Sequence, residues 1–139
     1  MRKAAALALA AFLALVPLPL AAQQLYSAAP SAAELERAPL LLVDIRQPHE
    51  WQQTGVLPNA LLIPFDDPAS FIEALEPHLQ PGQPVALICR TGNRTNRAGR
   101  ILAQELPVPV IDVQGGMMRL LGQGYAASAP TREAGCTIC

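Results

Sequence analysis

The chain has 139 residues, 51% hydrophobic and only 4% aromatic, with a formal net charge of −1 at pH 7 and a mean hydropathy of +0.25. That length holds one domain. A charge so close to neutral argues against nucleic acid or an anionic membrane as partner.

The first 22 residues stand apart in composition. Arg2-Lys3 form a basic start, Ala4 to Val16 an apolar stretch, and Pro17 to Ala22 an exit rich in small residues. This order reads as a secretory signal peptide cleaved after Ala22. The apolar run is short for a membrane span, so the mature chain is expected to keep no stable span. Cleavage removes Arg2 and Lys3, leaving eight arginines against eleven acidic residues, a formal charge of −3. Residues 23–125 then form the domain and 126–139 a small, polar, flexible tail.

Within the domain, Leu25-Tyr26-Ser27 reads as an edge strand. Ser31 and Glu34 have capping-box spacing and open a short helix that Pro39 ends. Leu40 to Ile45 is an apolar run with one acid, the pattern of a strand buried on both faces. Gln47 to Gln53 makes one or two helical turns that Gly55 stops, and Leu61 to Ile63 is another buried strand. Asp67-Pro68 offers an N-cap followed by proline at the first helical position. Phe71, Leu75 and Leu79 recur every four residues on the helix that follows, which ends near Pro81-Gly82. Val85 to Ile88 is a strand, residues 96–106 an amphipathic helix, Val108 to Val113 the last strand, and residues 117–123 a short helix after Gly115-Gly116. Strands alternating with helices predict a parallel α/β sheet.

The segment from Cys89 to Thr95 (Cys-Arg-Thr-Gly-Asn-Arg-Thr) lies between a strand and a helix. Open parallel sheets carry their chemistry in loops at this end of a strand. A thiol among backbone N–H groups, a helix start and two guanidiniums favours the nucleophilic thiolate and an anionic substrate. Four of the eight remaining arginines, Arg90, Arg94, Arg97 and Arg100, fall within 11 residues here. Three cysteines leave one unpaired. If Cys136 and Cys139 pair locally, as an oxidising compartment favours, Cys89 is the free thiol. His49 and His78 read as surface residues, so a Cys-His mechanism has no support.

Three segments in register resemble the single-domain rhodanese-like sulfurtransferase family. The first is Val43-Asp44-Ile45-Arg46 with His49-Glu50-Trp51, followed by Gly55 to Ala60. The second is the Cys89–Thr95 loop, and the third runs from Gly115-Gly116 to Gly124-Tyr125. They span roughly residues 25–125. The chain departs from the pattern at Val56, Asn59 and Leu120, where the family carries His, Gly and Trp. Asn59 is expected to tolerate a left-handed backbone.

The resemblance implies a three-layer α/β/α fold around a central parallel sheet of about five strands. It also implies that Cys89 takes a sulfur from a small anionic donor, thiosulfate or polysulfide, as a persulfide and passes it to a thiol or other nucleophile. Arg90 and Arg94 would neutralise donor and leaving group. The amides of Thr91, Gly92, Asn93 and Thr95 would hold the charged sulfur, and the Thr95 hydroxyl would donate to it and cap the helix. No cofactor or metal is called for. Asp44 and Arg46 read as a scaffold ion pair. Dual-specificity phosphatases share the fold but place five residues between Cys and Arg, whereas four separate Cys89 from Arg94, which suits a sulfur-sized centre.

The terminal Cys-Thr-Ile-Cys is outside the family pattern. About ten flexible residues after Tyr125 reach ~33 Å at full extension, enough to return Cys136 and Cys139 to Cys89. Three readings stand open: an inert disulfide, a resolving or sulfur-accepting dithiol re-reduced by a thiol–disulfide partner, and a soft-metal ligand pair completed by a partner. The expected location is periplasmic or secreted. The alternative to an enzyme is a non-catalytic module that delivers its thiols to a partner protein.

Overall fold

The computed structural model describes residues 24–139; the expected signal segment lies outside the described residues. Five strands, β1 (Leu25–Ala28), β2 (Leu41–Asp44), β3 (Leu61–Leu62), β4 (Val85–Ile88) and β5 (Val110–Val113), form one sheet in the order β1-β5-β4-β2-β3. Every pair is parallel. The helices are α1 (Ala32–Arg37), α2 (Pro48–Thr54), α3 (Pro68–Leu75), α4 (Asn93–Glu105) and α5 (Gly116–Gly122).

Alternation along the strands divides the core in two. Leu42, Ala86, Ile88 and Val113 face a layer made by Leu35 of α1, Trp51 of α2, and Met117 and Leu120 of α5. Val43, Val85, Leu87 and Val110 face Phe71 and Leu75 of α3 and Ala98 and Leu102 of α4. The fold is the three-layer α/β/α arrangement around a five-stranded parallel sheet. β4 lies at the centre with neighbours on both sides, which is why all four of its residues are buried and apolar. No helix among the described residues is long and apolar enough to cross a membrane.

Several expectations need correction. The helix after the loop begins at Asn93, three residues earlier than the apolar periodicity indicates, because Gly92 (φ +95°) caps it in a left-handed conformation. The last strand starts at Val110 rather than Val108. The helix predicted to run on to Pro81 stops at Leu75 and gives way to a 3-10 turn over Glu76–His78, where Pro77 has no N–H to donate. Asn59 is not left-handed, since no non-glycine residue among those described has positive φ. Its Nδ2 donates instead to the Leu35 carbonyl at 3.1 Å, tying the segment before β3 to α1.

The tail packs onto the domain. Ser128 pairs with Val56 as an antiparallel bridge, and the Leu62 N–H donates to the Ala134 carbonyl at 2.7 Å. Cys136 is fully buried in the cluster shared by α1, α2 and α5, with Tyr125, Ala127 and Ala134 packed against it. Val56 and Leu120, two of the departures from the family pattern, are buried in that same cluster. The segment looked loose because it is small and polar. It is ordered by satisfying backbone groups at the β3 edge, which composition does not report.

Candidate active site

Cys89 follows β4 directly and points to the α3/α4 side of the sheet, 1% exposed. The Gly92 N–H donates to its Sγ at 3.1 Å. Two carbonyls of the loop are held from below: Met117 N–H donates to Cys89 O at 2.9 Å and Met118 N–H to Arg90 O at 3.0 Å. The first turn of α5 thus spends its unpaired donors on the loop. Gly92 passes close to the Gly115 backbone, where an added Cβ would lie 3.1 Å from the Gly115 nitrogen. At the start of α4, Asn96 N–H returns to Gly92 O at 3.0 Å. The amides of Asn93, Arg94 and Thr95 are therefore first-turn groups without intrahelical acceptors. These groups make the Cys89 end of the loop electropositive.

The two loop arginines part company. Arg94 donates from both terminal nitrogens to Glu50 of α2, at 2.7 and 2.6 Å. The Arg94 guanidinium holds the Glu50 carboxyl down at about 2 against the opposing effect of burial, and Glu50 in turn raises Arg94. Glu50 also accepts from Gln47 N–H at 2.9 Å. Arg94 is thus a strut between the loop and α2, and any role toward a donor anion is shared with Glu50. Arg90 is exposed and forms no ion pair among the described residues. It borders a hollow of about 40 Å³ with Glu50, Gln53, Met117 and Met118. On the far side of Arg94 a groove of about 260 Å³ runs past Phe65, Asp66, Arg97 and Ile101.

Because the folded value for Glu50 is depressed, the strut stabilises the protein above about pH 4.5 and is lost as pH falls toward 2. Arg94 is 42% exposed, so solvent screening limits the effect to about 1 kcal/mol. Glu50→Gln is expected to remove that part of the acid sensitivity, measured by urea unfolding above and below this window.

Beneath α2, Arg46 (1% exposed) donates to Asp44 from Nε at 2.9 Å and from Nη2 at 2.6 Å. It also donates to Thr54 Oγ1 at 2.6 Å and to Gly55 O at 2.8 Å. The pair is a buried scaffold that fixes α2, and with it Glu50. His49 and His78 are exposed, and no cluster of three or more potential metal ligands occurs among the described residues.

Thr95 departs from expectation. It is buried on the third residue of α4 and does not cap the helix. Its Oγ1 lies 2.6 Å from Asp112 Oδ1, 3.0 Å from Gly92 O and 3.6 Å from Cys89 Sγ. Asp112 went unnoticed in the sequence. Its signal was an acid in the otherwise apolar strand Val-Ile-Asp-Val, because a buried carboxylate needs partners. Cys136 and Cys139 form a disulfide and Cys89 is the free thiol. Cys136 belongs to the α1/α2/α5 layer and Cys89 to the α3/α4 layer. The fold brings Gly92 and Thr95 against Cys89 with Arg94 nearby, sets Arg90 on the neighbouring hollow, and leaves the C-terminal pair on the other face of the sheet.

Comparison with known proteins agrees with this geometry. Residues 27–123 match the rhodanese-like domain family. A sulfurtransferase of Allochromatium vinosum is 32% identical over 91 residues, which cover 66% of this chain and 80% of that protein. The crystal structure of a rhodanese-related protein from Thermoplasma volcanium superposes with a TM-score of 0.55 at 26% identity, covering 73% of this chain and 98% of the other. A probable thiosulfate sulfurtransferase gives a TM-score of 0.55 at 30% identity over 70% of this chain and 46% of its own. With the Cys89 loop, the five-stranded parallel sheet and these matches together, the chain belongs to the rhodanese-like family of sulfurtransferases.

Proposed function

We propose that the protein moves a sulfane sulfur from thiosulfate or a polysulfide to a thiol or other nucleophile, through a persulfide on Cys89. The observation that carries this reading is the Gly92 N–H aimed at Cys89 Sγ, in a loop whose uncommitted cation is Arg90. The Cys89 thiolate attacks the outer sulfur of the donor. A bond forms between the two sulfurs as the donor's own bond to that sulfur breaks, and its electron pair leaves as sulfite or a shortened polysulfide. An acceptor thiolate then attacks the terminal sulfur, and Cys89 departs as thiolate. Two easy displacements replace one hard one. Arg90 draws in the anionic donor, the Glu50–Arg94 strut holds the loop in shape, and the amides of the α4 first turn hold the charged persulfide.

The separation of Cys136–Cys139 from Cys89 across the sheet favours an external acceptor over the C-terminal pair. That disulfide, together with the basic–apolar–small start of the chain, supports an exported location.

Intact mass after exposure of reduced protein to thiosulfate or polysulfide tests the reading. One sulfur is expected on the wild type and on Cys136→Ser/Cys139→Ser, with equal lifetimes, and none on Cys89→Ser. Absence of the adduct from the wild type would leave a thiol-delivery module in its place.

A further inference from the structure

Asp112 has no part in the chemistry so far. It lies on β5, 2% exposed, beside Leu87 of β4 and Ser27 of β1 in register. Its Oδ1 accepts from Thr95 Oγ1 at 2.6 Å. Its Oδ2 accepts from Asn96 Nδ2 and from Ser27 Oγ, both at 3.2 Å. Among the described residues no arginine or histidine pairs with it. A buried carboxylate supported only by neutral donors holds each of them firmly.

The Thr95 hydroxyl has one proton and three acceptors within reach. The charged Asp112 oxygen is the closest, ahead of the Gly92 carbonyl and Cys89 Sγ. A charged acceptor at the shortest distance takes the proton. Cys89 Sγ then faces a lone pair of Thr95 Oγ1. A thiol can donate into that lone pair. A thiolate or a persulfide anion cannot, and it meets the carboxylate behind the hydroxyl as well.

We propose that Asp112 is a positioning residue that turns the Thr95 proton away from Cys89, leaving Sγ a poorer leaving group, so that Cys89 keeps its sulfur until a strongly nucleophilic acceptor arrives. The proposal rests on the persulfide reading. A carrier that sheds its sulfur too readily loses it to any small thiol, and the loop amides that donate to Cys89 Sγ by themselves only make it a better leaving group. In the release step the acceptor thiolate bonds to the terminal sulfur, and the bond to Cys89 breaks with its electron pair on Cys89. The proton stays between Thr95 and Asp112 throughout.

The test compares Asp112→Asn and Asp112→Ala, each with native Thr95 and with Thr95→Val, after melting curves show which variants fold. Three quantities are read: the rate of Cys89 alkylation by iodoacetamide at neutral pH, the ultraviolet absorbance of the thiolate, and the decay of the persulfide in the presence of a small thiol. Freeing the hydroxyl to donate to a charged sulfur is expected to raise alkylation and thiolate absorbance roughly tenfold and to speed persulfide decay several-fold, since a better-stabilised thiolate leaves faster. With Thr95→Val the same substitutions should raise alkylation no more than about threefold, because only the loss of the carboxylate's own charge remains.

Thr95→Val alone is not expected to show the tenfold fall in alkylation that losing a donor to the thiolate would cause, and this holds as a test even if no Asp112 variant folds. Unchanged or slower alkylation in both Asp112 variants overturns the proposal. So does an undiminished rise in the Thr95→Val background, or a tenfold loss in Thr95→Val alone. Alkylation needs only the thiolate, so failure of the wild type to form a persulfide would count against sulfur transfer and leave the Asp112 comparison decisive.

Discussion

Gly116→Ala is expected to lower sulfur-transfer activity roughly 100-fold, because it displaces the loop that holds Cys89. Gly116 has φ +55°, and a Cβ there would collide with the carbonyl oxygen of Cys89 and lie 2.6 Å from that of Arg90. Those are the carbonyls that Met117 and Met118 hold through their N–H groups. Neither side can yield cheaply, since both are backbone. A left-handed alanine costs about 1–3 kcal/mol before the collision is counted, so the melting temperature should fall as well. Gly122→Ala, in the same helix, adds a Cβ with nothing within 4 Å and is the control. Turnover and thermal unfolding of the two variants, measured side by side, check the expectation; equal activity would show that α5 does not shape the loop.

Arg46→Met is expected to cost about 3–5 kcal/mol of stability, because it leaves the Asp44 carboxylate buried without its partner. Asp44 is fully buried and Arg46 is 1% exposed, so water cannot replace the guanidinium. The substitution also strips donors from Thr54 Oγ1 and Gly55 O at the end of α2, the helix that carries Glu50 to Arg94. Activity should therefore fall with stability. Adding Asp44→Asn to Arg46→Met removes the unpaired charge and should recover a good part of the loss, because the pair itself contributes less than its breakage costs. Urea unfolding of the wild type, the single variant and the double variant decides this; a single variant as stable as wild type would mean that Asp44 is neutralised some other way.

The order of elements, the parallel sheet and the position of the loop were legible because each depends on a local pattern. Leu41–Asp44, apolar but for its last residue, and Val85–Ile88, apolar throughout, are runs of strand length that mean burial on both faces. Ser31 with Glu34 one turn on, and Asp67 with Pro68 beside it, mark helix starts, and the structure forms both caps. Cys89 could be singled out because thiol, glycine and arginines are neighbours in the chain. The start of the following helix was misplaced by three residues because hydrophobic periodicity registers only the buried face, and the first turn of α4 faces the site.

What the sequence by itself determined is this local grammar: the strands, the Ser31 and Asp67 caps, and the strand–loop–helix setting of Cys89. The tertiary structure alone decided what meets the loop. Glu50 reaches Arg94 from 44 residues away and Asp112 reaches Thr95 from 17. Both depend on which strands lie side by side in the order β1-β5-β4-β2-β3. The same holds for the C-terminal segment, whose small polar residues suggest a loose end. It is fixed by Val56 and Leu62, backbone partners more than 70 residues earlier. Periodicity reports which face of an element is buried, whereas the residue it faces is set by strand order and register, which no single segment encodes.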